Sequence, residues 1–162
     1  MSSSIIIIGG GITALSTAWF LLKAGFSVQI IYKKRLGTAT QAAGGMLSPS
    51  CEADGCSEPL IQLSVRSCHM YPEWIQEIEQ CSGLSCEYRE TGTLLVAMHH
   101  DHYQDLEHLV KFQLRHGLKV QEVSRRDVRR LEPNLTRQVG GLLCPEDHSI
   151  HPRKLYLSLY QA

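Results

Sequence analysis

No Asp or Glu occurs before residue 52 of this 162-residue sequence. Residues 1–51 carry only Lys23, Lys33, Lys34 and Arg35, a charge of +4 that tolerates an anion. The remainder has 12 basic and 16 acidic side chains, so the whole chain is neutral. Bulk charge therefore gives no reason to bind nucleic acid or an anionic membrane. Long hydrophobic runs are also missing: the longest is broken at Gly9, Gly10, Gly11 and Lys23, which excludes a spanning helix. Met1 is followed by three serines rather than a basic stretch, so a secretory signal is not expected. The six cysteines include no Cys-x-x-Cys pair and read as reduced thiols, consistent with a cytoplasmic location. Glycine and proline are too few, at 13 and 6, for a linker or fibrous repeat.

What is present first is a strand, a turn and a helix. Residues 5–8 are four isoleucines, a β-branched run suited to a strand buried on both faces. Three glycines stop it. Leu15, Ala18, Trp19 and Leu22 then recur at helical spacing, with Ile12 and Leu21 beside them, until Gly25 ends the pattern. Residues 28–32 read as a second buried strand. Gly9-x-Gly11-x-x-Ala14 fits the dinucleotide fingerprint. Gly9 permits the tight turn, Gly11 lets backbone approach a pyrophosphate, and Ala14 allows close helix–strand packing.

The acid that normally ends the second strand and binds the adenosine ribose is absent. Tyr32 holds that place, followed by Lys33, Lys34 and Arg35. A phenol can bond a hydroxyl; alternatively, the basic trio could hold a 2′-phosphate, making NADP a competitor, or form a solvated turn.

Small residues at 42–45 allow backbone to pack against a flat group, and Met46 can lie along a ring. Residues 8–18 and the run Ala-Thr-Gln-Ala-Ala-Gly-Gly-Met-Leu-Ser-Pro at 39–49 together resemble the FAD-dependent glycine oxidases of thiamine biosynthesis, in the D-amino-acid oxidase group. Further matches are Tyr71-Pro-x-Trp74, residues 91–97, Leu131-Glu-Pro133 and Pro152-Arg153. The resemblance implies an α/β fold: a Rossmann-like FAD-binding segment followed by part of an inserted α+β substrate domain. Residues 1–84 would form the first part of a discontinuous FAD domain, 85–150 a partial substrate domain, and 151–162 a helix returning toward the FAD domain.

The activity so implied is oxidation of glycine, or a similar small amine, to an imine. Hydride passes to the flavin and oxygen is the final acceptor. Gly9, Gly10, Gly11, Ile12 and Thr13 would surround the FAD pyrophosphate. Tyr32 and Lys33 would take the ribose position, where the family usually has Glu. Ala39 and Thr40 would lie near the diphosphate or ribityl chain, and Gly44, Gly45 and Met46 near the flavin ring. The family's substrate-clamping arginines and active-site tyrosine fall later than these residues, so no catalytic residue is assigned. A truncated, non-catalytic flavin-binding relative and an NADP-binding Rossmann protein are the alternatives. A small amino acid or amine and oxygen are the expected partners of a full enzyme, with neither nucleic acid nor membrane; a homo-oligomer is compatible.

Further along, a helix is expected from Pro59 to Ser82, with Ser67, Tyr71, Trp74, Ile75 and Ile78 on one face and a break or kink allowed at Pro72. Trp74 reads as packing. Residues 86–90 and 93–97 resemble an antiparallel hairpin around Thr91-Gly92. Tyr103, Leu106, Val110 and Leu114 mark a helix, with Asp101 and His102 expected just before it, and residues 120–123 suggest a short strand. Ser124 and Asp127 resemble a capping box. Residues 140–144 read as a strand and 145–149 as a turn. Pro152 suits a first helical position, where His151 replaces the family's usual Asp. His99, His100, His102 and His108 lack metal-ligand spacing and read as a solvated turn, with no metal assigned. Arg125, Arg126, Arg129 and Arg130 read as a solvated helix face.

Overall fold

A computed structural model describes residues 4–33, 37–135 and 137–162. Lys34 and Arg35 of the basic trio lie outside them. The chain divides into two compact units, one of residues 1–45, 72–88 and 150–162, the other of 46–71 and 89–149. This division places residues 46–71 differently from a cut by chain order at residue 84. The long helix explains why, because it contributes residues up to Tyr71 to one unit and from Pro72 onward to the other.

In the first unit, strand β1 (Ser4–Ile8) pairs in parallel with β2 (Ser27–Ile31), Ile5 opposite Val28 and Ile7 opposite Ile30. Helix α1 (Ile12–Lys23) connects them and buries Leu15 and Ala18. The expectation of a strand buried on both faces is not met. Ile5 and Ile7 are half-buried, but Ile6 and Ile8 are 59% and 88% exposed. The reason is the period of two along a strand: α1 packs on one face of a two-stranded sheet and leaves the alternate residues bare. Leu22, placed on the packed stripe by its spacing, is exposed for want of a facing element among the described residues.

Short helix α2 (Ala39–Ala42) follows. Helix α3 (Glu58–Ser82) runs unbroken through Pro72, so the proline interrupts nothing. It buries Ile61, Cys68, Trp74, Ile75 and Ile78, whereas Ser67 is exposed. The Trp74 ring stacks on Phe20 with centroids 5.7 Å apart, the packing role expected of it. Gly83, at φ +70°, ends the helix.

The second unit pairs β3 (Met46–Leu47) with β7 (His148–Ser149), and builds an antiparallel sheet in the order β4 (Thr93–Ala97), β6 (Gly140–Cys144), β5 (Gln121–Ser124). The hairpin expected between residues 86–90 and 93–97 does not form. Strand β4 pairs instead with β6, and Arg89 makes an isolated bridge to Ser149. Residues 86–88 are engaged in the first unit: the Cys86 N–H donates to the Glu79 carboxylate at 2.6 Å, and its carbonyl accepts from His151 N–H at 3.1 Å.

Helix α4 (His100–Arg115) includes Asp101 and His102 in its first turn instead of following them. Its Leu114 is 58% exposed, whereas neighbouring Gln113 is fully buried. The Gln113 amide donates to the buried Ser50 carbonyl at 2.7 Å, a demand that hydrophobic spacing does not encode. Helix α5 (Arg125–Leu131) has the expected cap: the Asp127 N–H donates to Ser124 Oγ at 3.3 Å, and that hydroxyl donates to the Asp127 carboxylate at 2.6 Å. The Ser124 hydroxyl holds the Asp127 carboxyl below its ordinary value. Ala53, Ile61 and Leu118 form a core cluster backed by Cys56, Val65 and Phe112. All six cysteines are free thiols. Among the described residues, no helix is long and apolar enough to cross a membrane.

Helix α6 (Pro152–Gln161) returns to the first unit. His151 is its N-cap and makes no side-chain cap bond, in keeping with the loss of a carboxylate there.

Candidate cofactor site

The glycine turn sits between β1 and α1. Gly9 has φ +128°, a conformation side-chain-bearing residues rarely adopt, and its N–H donates to the Ile31 carbonyl at 2.9 Å. Gly10 is required for a different reason. A Cβ there would lie 2.4 Å from Cγ of Tyr32, whose ring covers the turn. A Cβ on Gly11 would meet only Thr40 Oγ1, at 3.6 Å, so its backbone is approachable.

Thr40 also caps α1: its Oγ1 accepts the Ile12 N–H at 3.2 Å. The next two N–H groups, at Thr13 and Ala14, have no partner within the helix, as at any helix start. They carry the positive end of the α1 dipole, which favours an anion.

These elements enclose a cavity of about 410 Å³ in the first unit. Gly10, Gly11, Tyr32, Lys33, Thr38, Thr40 and Gln41 line it from one stretch of chain. Arg153, Tyr156 and Leu157 line it from α6. Arg153 donates from Nε to the Gln41 carbonyl at 3.1 Å, which fixes its guanidinium beside α2. No carboxylate is among the lining residues.

Of the residues expected to hold the cofactor, Gly10, Gly11, Tyr32, Lys33 and Thr40 meet at this cavity. Ile12 and Ala39 adjoin it in sequence, and Thr13 is exposed on α1. Gly44 has open space around it. Gly45 does something sequence reading missed. It has φ +80°, its carbonyl accepts the Ile150 N–H at 2.9 Å, and a Cβ would lie 1.9 Å from the Ile150 carbonyl oxygen. Close passage of backbone past Ile150 accounts for the glycine. Met46 belongs to the second unit, where it is exposed and pairs with Ser149.

Interaction with the Tyr160 phenol, with a smaller contribution from Tyr156, raises the Tyr32 phenol above the ordinary tyrosine value. Tyr32 lines a neighbouring cavity together with these two tyrosines of α6. Arg153, Tyr156 and Leu157 could not be anticipated from local sequence, because more than a hundred residues separate them from the glycine turn. The Pro152-Arg153 pair was the one available signal.

A pyrophosphate-bearing nucleotide fits this cavity at the glycine turn, where backbone is bare and cations are unopposed. The fit is poorer at the ribose end, where no carboxylate waits. The sequence pattern of the FAD-dependent oxidoreductase family, DAO, matches residues 4–162. The chain belongs to that family. It is 29% identical over its whole length to the bifunctional protein ThiO/ThiG of Trichormus variabilis, of which it covers 24%. It is 27% identical to the glycine oxidase of Geobacillus kaustophilus, with 96% of this chain and 42% of that protein aligned. The crystal structure of that glycine oxidase superposes with a TM-score of 0.87 at 26% identity, covering 98% of this chain and 44% of the other. The chain therefore spans less than half the length of these relatives.

Proposed function

We propose that this chain is the cofactor-binding part of a glycine-oxidase-like enzyme and that the cavity at the glycine turn holds FAD. The observation that carries this reading is the meeting of Gly10, Gly11, Thr40 and Lys33 with Arg153 around one cavity free of carboxylates. Gly9 shapes the turn, Gly11 offers bare backbone to the diphosphate, and the α1 N-terminus favours its charge. Arg153, held by the Gln41 carbonyl, adds a fixed cation on the opposite wall. Ala39 sets the start of α2, and Gly44, Gly45 and Met46 continue the chain toward the ring end.

Bound flavin would supply the electron sink for oxidising a small amine, such as glycine, with oxygen as final acceptor. The names of the similar ThiO proteins and glycine oxidase support that substrate class and a place in thiamine biosynthesis. In this reading the first unit is the FAD-binding segment, the second is part of the substrate domain, and the protein is cytoplasmic. No residue of this chain is assigned to proton transfer.

Titration of the purified chain with FAD, followed by quenching of flavin fluorescence, tests the reading. Gly11→Val is expected to weaken binding by about tenfold or more, by blocking backbone approach to the diphosphate. Failure of the folded wild-type chain to bind FAD would overturn the assignment.

A further inference from the structure

With FAD in the cavity, the proposal on which this inference rests, the adenosine lies at the end of β2. A carboxylate normally stands there and accepts the ribose hydroxyls. This cavity has no acid among its lining residues, and Tyr32 takes the place. The foot of the Tyr32 ring rests on the glycine turn: a Cβ on Gly10 would meet its Cγ at 2.4 Å and its Cδ2 at 2.5 Å. At the other end of the ring, the phenol interacts with those of Tyr160 and Tyr156. The side chain therefore spans from the turn to α6. Gly10, Tyr32 and Tyr156 line both this cavity and a neighbouring one of about 590 Å³, so the two tyrosines form the partition between them. Beyond the partition the walls are mostly apolar, with Leu15, Leu22, Ile30 and Leu159. On the cofactor side they are polar, with Lys33, Thr38, Thr40 and Arg153. Tyr32 is nonetheless 43% exposed, which leaves part of its surface open to a ligand.

We infer that Tyr32 is a specificity-determining residue that holds the adenine base of the cofactor against its ring, beside Tyr156, and that this chain does not read the ribose hydroxyls. A carboxylate makes charge-assisted bonds to two hydroxyls, whereas a phenol makes only neutral and weaker ones. What a tyrosine adds instead is an aromatic face, on which a base stacks whatever sugar it carries. The diphosphate stays with the N-terminus of α1 and Arg153. The two halves of the adenosine diphosphate moiety are thus held by separate chemistry, charge at the turn and ring surface at the strand end. A nucleotide without ribose hydroxyls is accepted as readily as one that has them, and discrimination falls on the size of the base.

Titration of the full chain with ADP, 2′,3′-dideoxy-ADP and CDP tests this, with calorimetry as the readout. ADP and its dideoxy analogue are expected to bind within about twofold of each other, and CDP, with its single ring, about fivefold more weakly. Tyr32→Ala should weaken ADP binding by about tenfold or more, and Tyr32→Phe, which keeps the ring, should restore it to within about threefold of wild type. A dideoxy analogue bound about tenfold more weakly than ADP overturns the inference, because the hydroxyls would then be read. So does a Tyr32→Phe chain that loses as much as Tyr32→Ala. The comparison of ADP with its analogue needs no variant, so it decides the matter even if Tyr32→Ala fails to fold. FAD binding is read separately by fluorescence quenching. A chain that binds FAD but discriminates against the dideoxy analogue, or binds no ADP, sinks this inference alone. One that never binds FAD sinks the flavin reading and this inference with it.

Discussion

The carboxylate of Asp147 accepts the backbone N–H of Ser50 at 2.9 Å, joining residues 97 positions apart. Its other oxygen accepts from Cys51 N–H at 3.1 Å, while Gln113 supplies a donor to the Ser50 carbonyl. Asp147 and Gln113 are both fully buried. Two polar side chains, through three hydrogen bonds, thus satisfy a short stretch of irregular backbone inside the second unit. A buried loop is stable only on that condition.

Asp147→Ala removes both acceptors and orphans two N–H groups. We expect a loss of roughly 2–4 kcal/mol, since bonds to a charged acceptor and stranded buried donors are each worth a few kcal/mol at most. Urea denaturation followed by circular dichroism should show the midpoint fall. Asp147→Asn keeps one acceptor and should cost less. An alanine variant as stable as wild type would show the carboxylate to be dispensable.

Gly45 and Gly44 form a matched pair. Alanine at Gly45 puts Cβ against the Ile150 carbonyl in a left-handed conformation, whereas alanine at Gly44 enters open space. Gly45→Ala should destabilise by roughly 2 kcal/mol or more, and Gly44→Ala by well under about 1 kcal/mol. Thermal melts of the two variants, run side by side, check the contrast. Similar melting points would contradict the close approach seen at Ile150.

Burial pushes the Cys51 and Cys68 thiols up to about 11 and Cys144 to about 12. Nearby Asp147 adds to the rise in each case. Near neutral pH these thiols remain protonated and slow to react. An aromatic disulfide reagent at about pH 8 should therefore label exposed Cys81 first and Cys144 last. The same shifts give a direction to stability. Above the ordinary thiol range, near pH 9, unfolded cysteines lose protons that the folded ones retain. The unfolded state then binds fewer protons, so stability should decline as pH rises from about 9 toward 11–12. Urea midpoints measured across that window test the sign; a rising midpoint would refute it.

Much of the fold was legible because its signals are local. Four isoleucines, three glycines and an apolar stripe specify β1, the turn and α1, and each is a property of neighbours in sequence. The cap at Ser124 and Asp127 was readable for the same reason. The site was legible only on one side. Gly10, Gly11, Tyr32, Lys33 and Thr40 come from a single stretch with a known fingerprint, whereas Arg153, Tyr156 and Leu157 arrive through the return of α6. The hairpin expectation failed because two adjacent extended segments do not encode which of them finds a closer partner.

The sequence alone determined that the first third of the chain would be free of acids and built around a glycine turn, because composition and short-range sterics need no fold to act. Tertiary structure decided how those features are used. It brought Tyr32 and Lys33 to one cavity with Arg153 and Tyr156 of α6. It also made Gly45 a packing residue by bringing Ile150 within reach of its backbone. Both outcomes depend on contacts between residues more than a hundred positions apart, which only folding brings together.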